Sequence, residues 1–129
     1  MVYKRNEFKA LSLAALKDYI LILTPPTNIH ELRLVDCNTS PDIMRQLLSF
    51  LSKNPCYLRS LALVQMQLNF ALDDLGKLVE DSEYLQDLDI SGNDLLPLHL
   101  APLILVLANN KKLHTLNLSW NQLLDKTQM

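Results

Sequence analysis

Four nine-residue segments of one design recur along the chain: IHELRLVDC from Ile29, LRSLALVQM from Leu58, LQDLDISGN from Leu85 and LHTLNLSWN from Leu113. Superimposed, they set Leu32, Leu61, Leu88 and Leu116 in one column and Leu34, Leu63, Ile90 and Leu118 in the next, at spacings of 29, 27 and 28 residues. Within each segment the columns alternate with polar or small residues, the period-two pattern of a strand with one buried face. A unit this small cannot bury its own apolar face. Repetition at this period therefore implies stacked units that share one continuous core.

Between the strand segments the apolar spacing changes to three and four, which means a helix. Leu16, Met44, Leu72 and Leu100 form one helical column, Tyr19, Leu47, Leu75 and Leu103 a second, and Leu23, Leu51, Val79 and Leu107 a third. Ser40 suits an N-cap, with Pro41 at the first helical position, where its missing N–H costs nothing. Pro102 is expected in a first turn as well, which starts that helix near Leu98 to Leu100. The first helix, from about Lys9 to Leu23, carries the same columns and ends at Thr24-Pro25-Pro26, but no leucine-rich strand segment precedes it. Residues 1–28 thus read as a helical half-repeat cap and residues 29–129 as the repeats, with strand motifs at 29–37, 58–66, 85–93 and 113–121. Lys4, Arg5 and Lys9 then belong to a solvated tail. After Asn121 only Gln122 to Met129 remain, too few for the next helix. No C-terminal cap is expected, and either missing repeats or another chain would cover that edge.

With 129 residues, 49% of them hydrophobic, the chain can bury such a core without a metal or disulfide staple. A net charge of -2 argues against nucleic acid as a partner. Lys17 and Asp18 interrupt the first apolar stretch, as a signal peptide would not allow. The run from Leu95 to Ala108 falls short of the roughly 20 residues that span a bilayer. A soluble, cytoplasmic protein with no membrane partner is expected. Cys37 and Cys56 fall at opposite ends of neighbouring strands, about 20 Å apart by strand rise and beyond disulfide reach, so both should be free thiols.

The period, the LxxLxLxx(N/C) strand motif and the helix in every repeat together resemble the ribonuclease-inhibitor-type leucine-rich repeats. The resemblance implies an α/β fold: a right-handed β/α solenoid with parallel strands on its concave face and helices on its convex face. At the ninth motif position the family places asparagine or cysteine, whose side chain satisfies backbone groups where the chain leaves the strand. Cys37, Asn93 and Asn121 match, whereas Met66 departs, which implies a weakened ladder or a bulged turn in the second repeat. The concave face would carry Glu31, Ser60, Asp87 and Thr115 in one row, Arg33, Ala62, Asp89 and Asn117 in the next, and Val35, Val64, Ser91 and Ser119 in a third. Tryptophan and arginine are enriched among interface hot spots, so Glu31, Arg33, Asp87, Asp89, Asn117 and Trp120 form the candidate partner-binding patch. Two blander roles compete: Trp120 as a cover over Gly92, and Asp87 and Asp89 as solvated strand positions.

No catalytic constellation assembles. His30 and His114 share a motif position three strands apart, or about 14 Å, and His99 lies near a helix start, so no metal site is expected. Cys37 lacks a histidine within reach to activate it. Asp87 and Asp89 stand about 6.6 Å apart on an open face with no pocket to raise one pKa. Gly76 and Gly92 alone cannot build a phosphate loop. The sequence points to a non-catalytic protein-interaction module or scaffold without cofactor, binding through the concave face or the uncapped C-terminal end. A structural subunit buried in a large cytoskeletal or ciliary assembly is the alternative, with a GTPase regulator built on the same repeat type behind it.

Overall fold

The computed structural model describes residues 5–22, 29–53 and 58–121. Strands β1 (Arg5–Lys9), β2 (Glu31–Val35), β3 (Ser60–Val64), β4 (Asp87–Asp89) and β5 (Thr115–Asn117) form one parallel sheet whose spatial order is the sequence order. Helices α1 (Leu13–Ile22), α2 (Pro41–Lys53), α3 (Leu72–Asp81) and α4 (Pro97–Asn109) fill the connections, with a short 3-10 turn at Leu68–Phe70 before α3. The ladder joins Leu32 to Leu61, Leu61 to Leu88 and Leu88 to Leu116, which is the column read from the sequence.

Alternation decides which face is buried. Leu32, Leu34, Leu61, Leu63, Leu88 and Ile90 are at most 1% exposed and share one core with Leu16, Met44, Leu47, Leu72, Leu75 and Leu103 of the helices. The odd strand positions lie on the opposite, open face. The third helical column is buried at Leu51 and Val79, while Leu107 is partly covered and Leu23 lies outside the described residues. Among the described residues, every buried side-chain nitrogen or oxygen has a hydrogen-bond partner, and no helix is long and apolar enough to cross a membrane.

The N-terminal segment differs from the expectation. Residues 5–9 are not a tail: they form β1, paired in parallel with β2 from Arg5 opposite Glu31 to Lys9 opposite Val35. Asn6 and Phe8 stand where later repeats have leucine, and Tyr19 adapts to both. Its hydroxyl accepts a hydrogen bond from Asn6 Nδ2 at 3.0 Å, and its ring meets Phe8 edge-to-face at 4.7 Å. The first unit is therefore a strand followed by a helix. The helix starts at Leu13, after Ser12, whose Oγ accepts the Ala15 N–H.

Ser40 caps α2 as expected, accepting the Ile43 N–H at 3.2 Å, with Pro41 at N1. Pro102 does not sit in a first turn. α4 begins at Pro97, so Pro102 is its sixth residue and removes one bond to the Leu98 carbonyl. His99 Nδ1 accepts the Leu96 N–H at 2.9 Å and secures the start of α4.

Each strand ends in a left-handed residue. Ala10, Asp36, Gln65, Gly92 and Trp120 follow one another across the sheet register, with φ of 54°, 51°, 55°, 69° and 61°. Their amides continue the ladder: the Asp36 N–H donates to Val64 O, the Gln65 N–H to Ser91 O and the Gly92 N–H to Ser119 O. The next residue carries the side-chain ladder. Asn93 is 2% exposed and donates from Nδ2 to the carbonyls of Leu63, Ile90 and Ser91, while its Oδ1 accepts the Met66 N–H at 2.7 Å. Asn121 repeats this one strand further, accepting the N–H groups of Asn93 and Leu95.

Met66 does not bulge the turn. Its Sδ stands at the same bond count from Cα as an asparagine Oδ1, and it accepts the Cys37 N–H at 3.3 Å. Methionine thus supplies the acceptor half of the ladder and lacks the donor half. Cys37 is a free thiol that donates weakly toward Val35 O and Phe8 O at 3.5 and 3.8 Å. Cys56, the other half of the thiol expectation, lies outside the described residues.

Four stability outcomes follow, each checked by equilibrium denaturation. Leu88→Ala should cost about 2–5 kcal/mol, since neighbouring units line the cavity. Asn93→Ala should cost about 2 kcal/mol or more by stripping buried backbone groups of partners, whereas Met66→Asn should stay within about 1 kcal/mol of wild type, the regained donor offsetting the lost packing. Gly76 lies inside α3, and a Cβ there would meet Val106 Cγ2 at 3.5 Å, an ordinary contact. Gly76→Ala should therefore stabilise by about 0.5–1 kcal/mol.

Candidate binding surface

The open face is built from residues that the leucine columns force outward. Three rows cross it: Arg5, Glu31, Ser60, Asp87 and Thr115; then Glu7, Arg33, Ala62, Asp89 and Asn117; then Lys9, Val35 and Val64. Four of the six candidate residues are committed locally. Arg33 reaches across the small, buried Ala62 so that its Nη1 lies 3.5 Å from Asp89 Oδ2, and its Nε is 3.7 Å from Glu7. Glu31 lies 3.5 Å from Arg5, which also holds Glu7 at 2.9 Å.

This chain of alternating charges spans β1 to β4 and cancels most of the acidity expected at the centre of the face. Its members are part-exposed, so each pair adds only about 0.2–1 kcal/mol to stability. The other oxygen of Asp89 accepts the Ser91 N–H at 3.0 Å, and Asn117 Oδ1 accepts the Ser119 N–H at 2.9 Å. Both side chains close Asx turns that end their strands. Ser91 is only 6% exposed, so it does not contribute to the open face as its row suggested.

Two candidates remain uncommitted. Asp87 is exposed, and its carboxylate makes no hydrogen bond or ion pair among the described residues. Trp120 is 89% exposed and does not cover Gly92. A Cβ at Gly92 would instead meet Gln65 Cγ at 2.9 Å, so the neighbour over that glycine is Gln65. The sequence reading missed Arg5, Glu7 and Lys9 on this face. The step from β1 to β2 is 26 residues, shorter than the 27 to 29 between later strands, and Asn6 and Phe8 stand in place of leucine, so the repeat pattern did not reveal the strand.

The described residues line depressions at two places. One of about 320 Å³ is lined by Asp36, Gln65, Gln67, Gly92, Asn93 and Asp94 at the turns. Another, of about 450 Å³, lies at the C-terminal ends of α3 and α4, where Glu80, Leu105, Lys111 and Lys112 meet. Neither brings a nucleophile to a base. Among the described residues no three His, Cys, Asp or Glu side chains are grouped to hold a metal ion. No protein-family model matches the chain, and no curated protein is found similar to it.

Proposed function

We propose that the chain is a right-handed solenoid of the ribonuclease-inhibitor-type leucine-rich repeats and acts without catalysis, as a module that binds another protein. The observation that carries this reading is the division of the open face. The charged side chains of β1 and β2 are paired with one another and with Asp89 of β4, whereas the side chains of Asp87, Thr115 and Trp120 at the β4 and β5 end are exposed and unpaired among the described residues. Side chains without a structural duty, on a rigid sheet, suit recognition of a partner through the concave face of such a solenoid. Engagement of Arg33 by Glu7 and Asp89 favours this over a GTPase regulator, which needs an arginine free to reach a nucleotide.

Affinity capture with the wild-type chain and with Asp87→Lys, followed by binding measurements on whatever protein is retained, tests the reading. Charge reversal at Asp87 should weaken association about tenfold without changing stability. Leu105→Glu, on the helical side, should leave capture by the open face intact. Equal binding by wild type and Asp87→Lys would refute the open face as the docking site.

A further inference from the structure

The open face carries negative charge at two separate places that the chain does not answer. Glu7, Glu31 and Asp89 each meet an arginine of the same face. Asp87 does not. Neither does Asp36, which is exposed where the chain leaves β2 and makes no hydrogen bond or ion pair through its carboxylate among the described residues. Lys9 lies across the ladder from Val35, the residue before Asp36, yet the two charges form no ion pair.

The exits from β2, β3 and β4 line the depression of about 320 Å³, and its chemistry is one-sided. Asp36 and Asp94 give it two carboxylates, and among the described residues no Lys, Arg or His lines it. Gln65 and Gln67 add two exposed side-chain amides that have no hydrogen-bond partner among the described residues. Two negative charges and two amide oxygens suit a group with positive charge, several donors and no acceptor, which is a guanidinium. Trp120 borders the same place: it follows Ser119, whose carbonyl accepts the N–H of the lining residue Gly92 at 2.9 Å, and it is 89% exposed. An aromatic face beside carboxylates favours arginine over lysine.

Asp87 precedes Gly92 by five residues, or about 16 Å at strand rise. Between them the face offers Ala62, Val64 and an Asp89 already paired with Arg33, so nothing charged is left unanswered there. In an extended segment laid along the strands, residues four apart point to one side and stand about 13 Å apart. The length of two arginine side chains makes up the difference.

We propose that the partner of the open face presents an extended basic segment, with one arginine in the depression between Asp36 and Asp94 and a second, four residues away, at Asp87. The proposal rests on the reading that the open face binds a protein and adds the chemistry of what it binds.

The probe is a fluorescein-labelled, end-blocked peptide, Ala-Arg-Ala-Ser-Ala-Arg-Ala, titrated with the full chain at low salt and followed by anisotropy. Asp36→Asn and Asp87→Asn should each weaken binding about threefold or more. Asparagine tolerates the left-handed φ of 51° at position 36, so the turn is kept, and circular dichroism checks it. Replacing either arginine by citrulline, which keeps the shape and removes the charge, should weaken binding by a similar factor. Asp73→Asn, the same change on an exposed position of α3, should have no effect. No binding of the spaced peptide at about 1 mM protein would overturn the proposal. Equal binding of a peptide with its two arginines adjacent would overturn it too, reducing the attraction to net charge. Loss of binding in Asp87→Asn but not in Asp36→Asn would remove arginine from the depression while leaving the open face as a docking site. That face stands or falls separately, on capture by Asp87→Lys.

Discussion

The turn that ends each strand holds this architecture together. A parallel strand cannot return on itself, so after every strand the chain must leave the sheet, cross one face as a helix and re-enter beside its predecessor. The exit exposes backbone groups next to a dry core, and unpaired groups there would cost free energy comparable to the lost hydrogen bonds. The left-handed column from Ala10 to Trp120 bends the chain, and the following residue satisfies the groups the bend lays bare. Asn93 and Asn121 do so with both halves of an amide. Met66 does so with a thioether acceptor alone, and Cys37 with a thiol. Register between units follows from this ladder, because each side chain bonds the backbone of the unit before it.

That arrangement also explains where recognition can reside. With even positions buried beneath the helices, the fold dictates nothing about the odd positions except that they face away. The chain uses this freedom unequally. Arg5, Glu7, Glu31, Arg33 and Asp89 pair with one another across β1, β2 and β4, so that part of the face offers little net charge to a partner. Asp87, Thr115 and Trp120 are left over, next to an uncharged edge and an uncharged helix. Surface that neither folding nor solubility explains therefore gathers at the β5 end.

Much of the fold was legible because the leucine columns are redundant: four in-phase copies fix the strands, their register and the helical stripes between them. The elements that escaped are those where one residue replaces the pattern by other physics. Asn6 and Phe8 concealed β1, since their partner Tyr19 lies on a helix and makes no signal in a strand motif. Pro102 suggested a late helix start, yet an exposed helix tolerates one missing bond in its second turn. Met66 suggested a weakened ladder or a bulged turn because its chemistry differs from asparagine; its sulfur supplies the acceptor and it lacks the donor. For the binding face, the rows through Glu31 and Arg33 were legible from β2 onward, whereas the third row failed at the buried Ser91 and the availability of each side chain was not legible. Whether Arg33 is free depends on Ala62 being small enough to let it reach Asp89 two strands away.

Amide hydrogen exchange tests the ladder most directly. Protection at the N–H groups of Met66 and Asn93 depends on the side-chain oxygens of Asn93 and Asn121, not on strand pairing. If those oxygens organise the exits from the sheet, both amides should exchange as slowly as the strand amides of Leu61 and Leu63 and open with them in one cooperative unit. Exchange at the rate of exposed turn amides, with the strands still protected, would contradict that account.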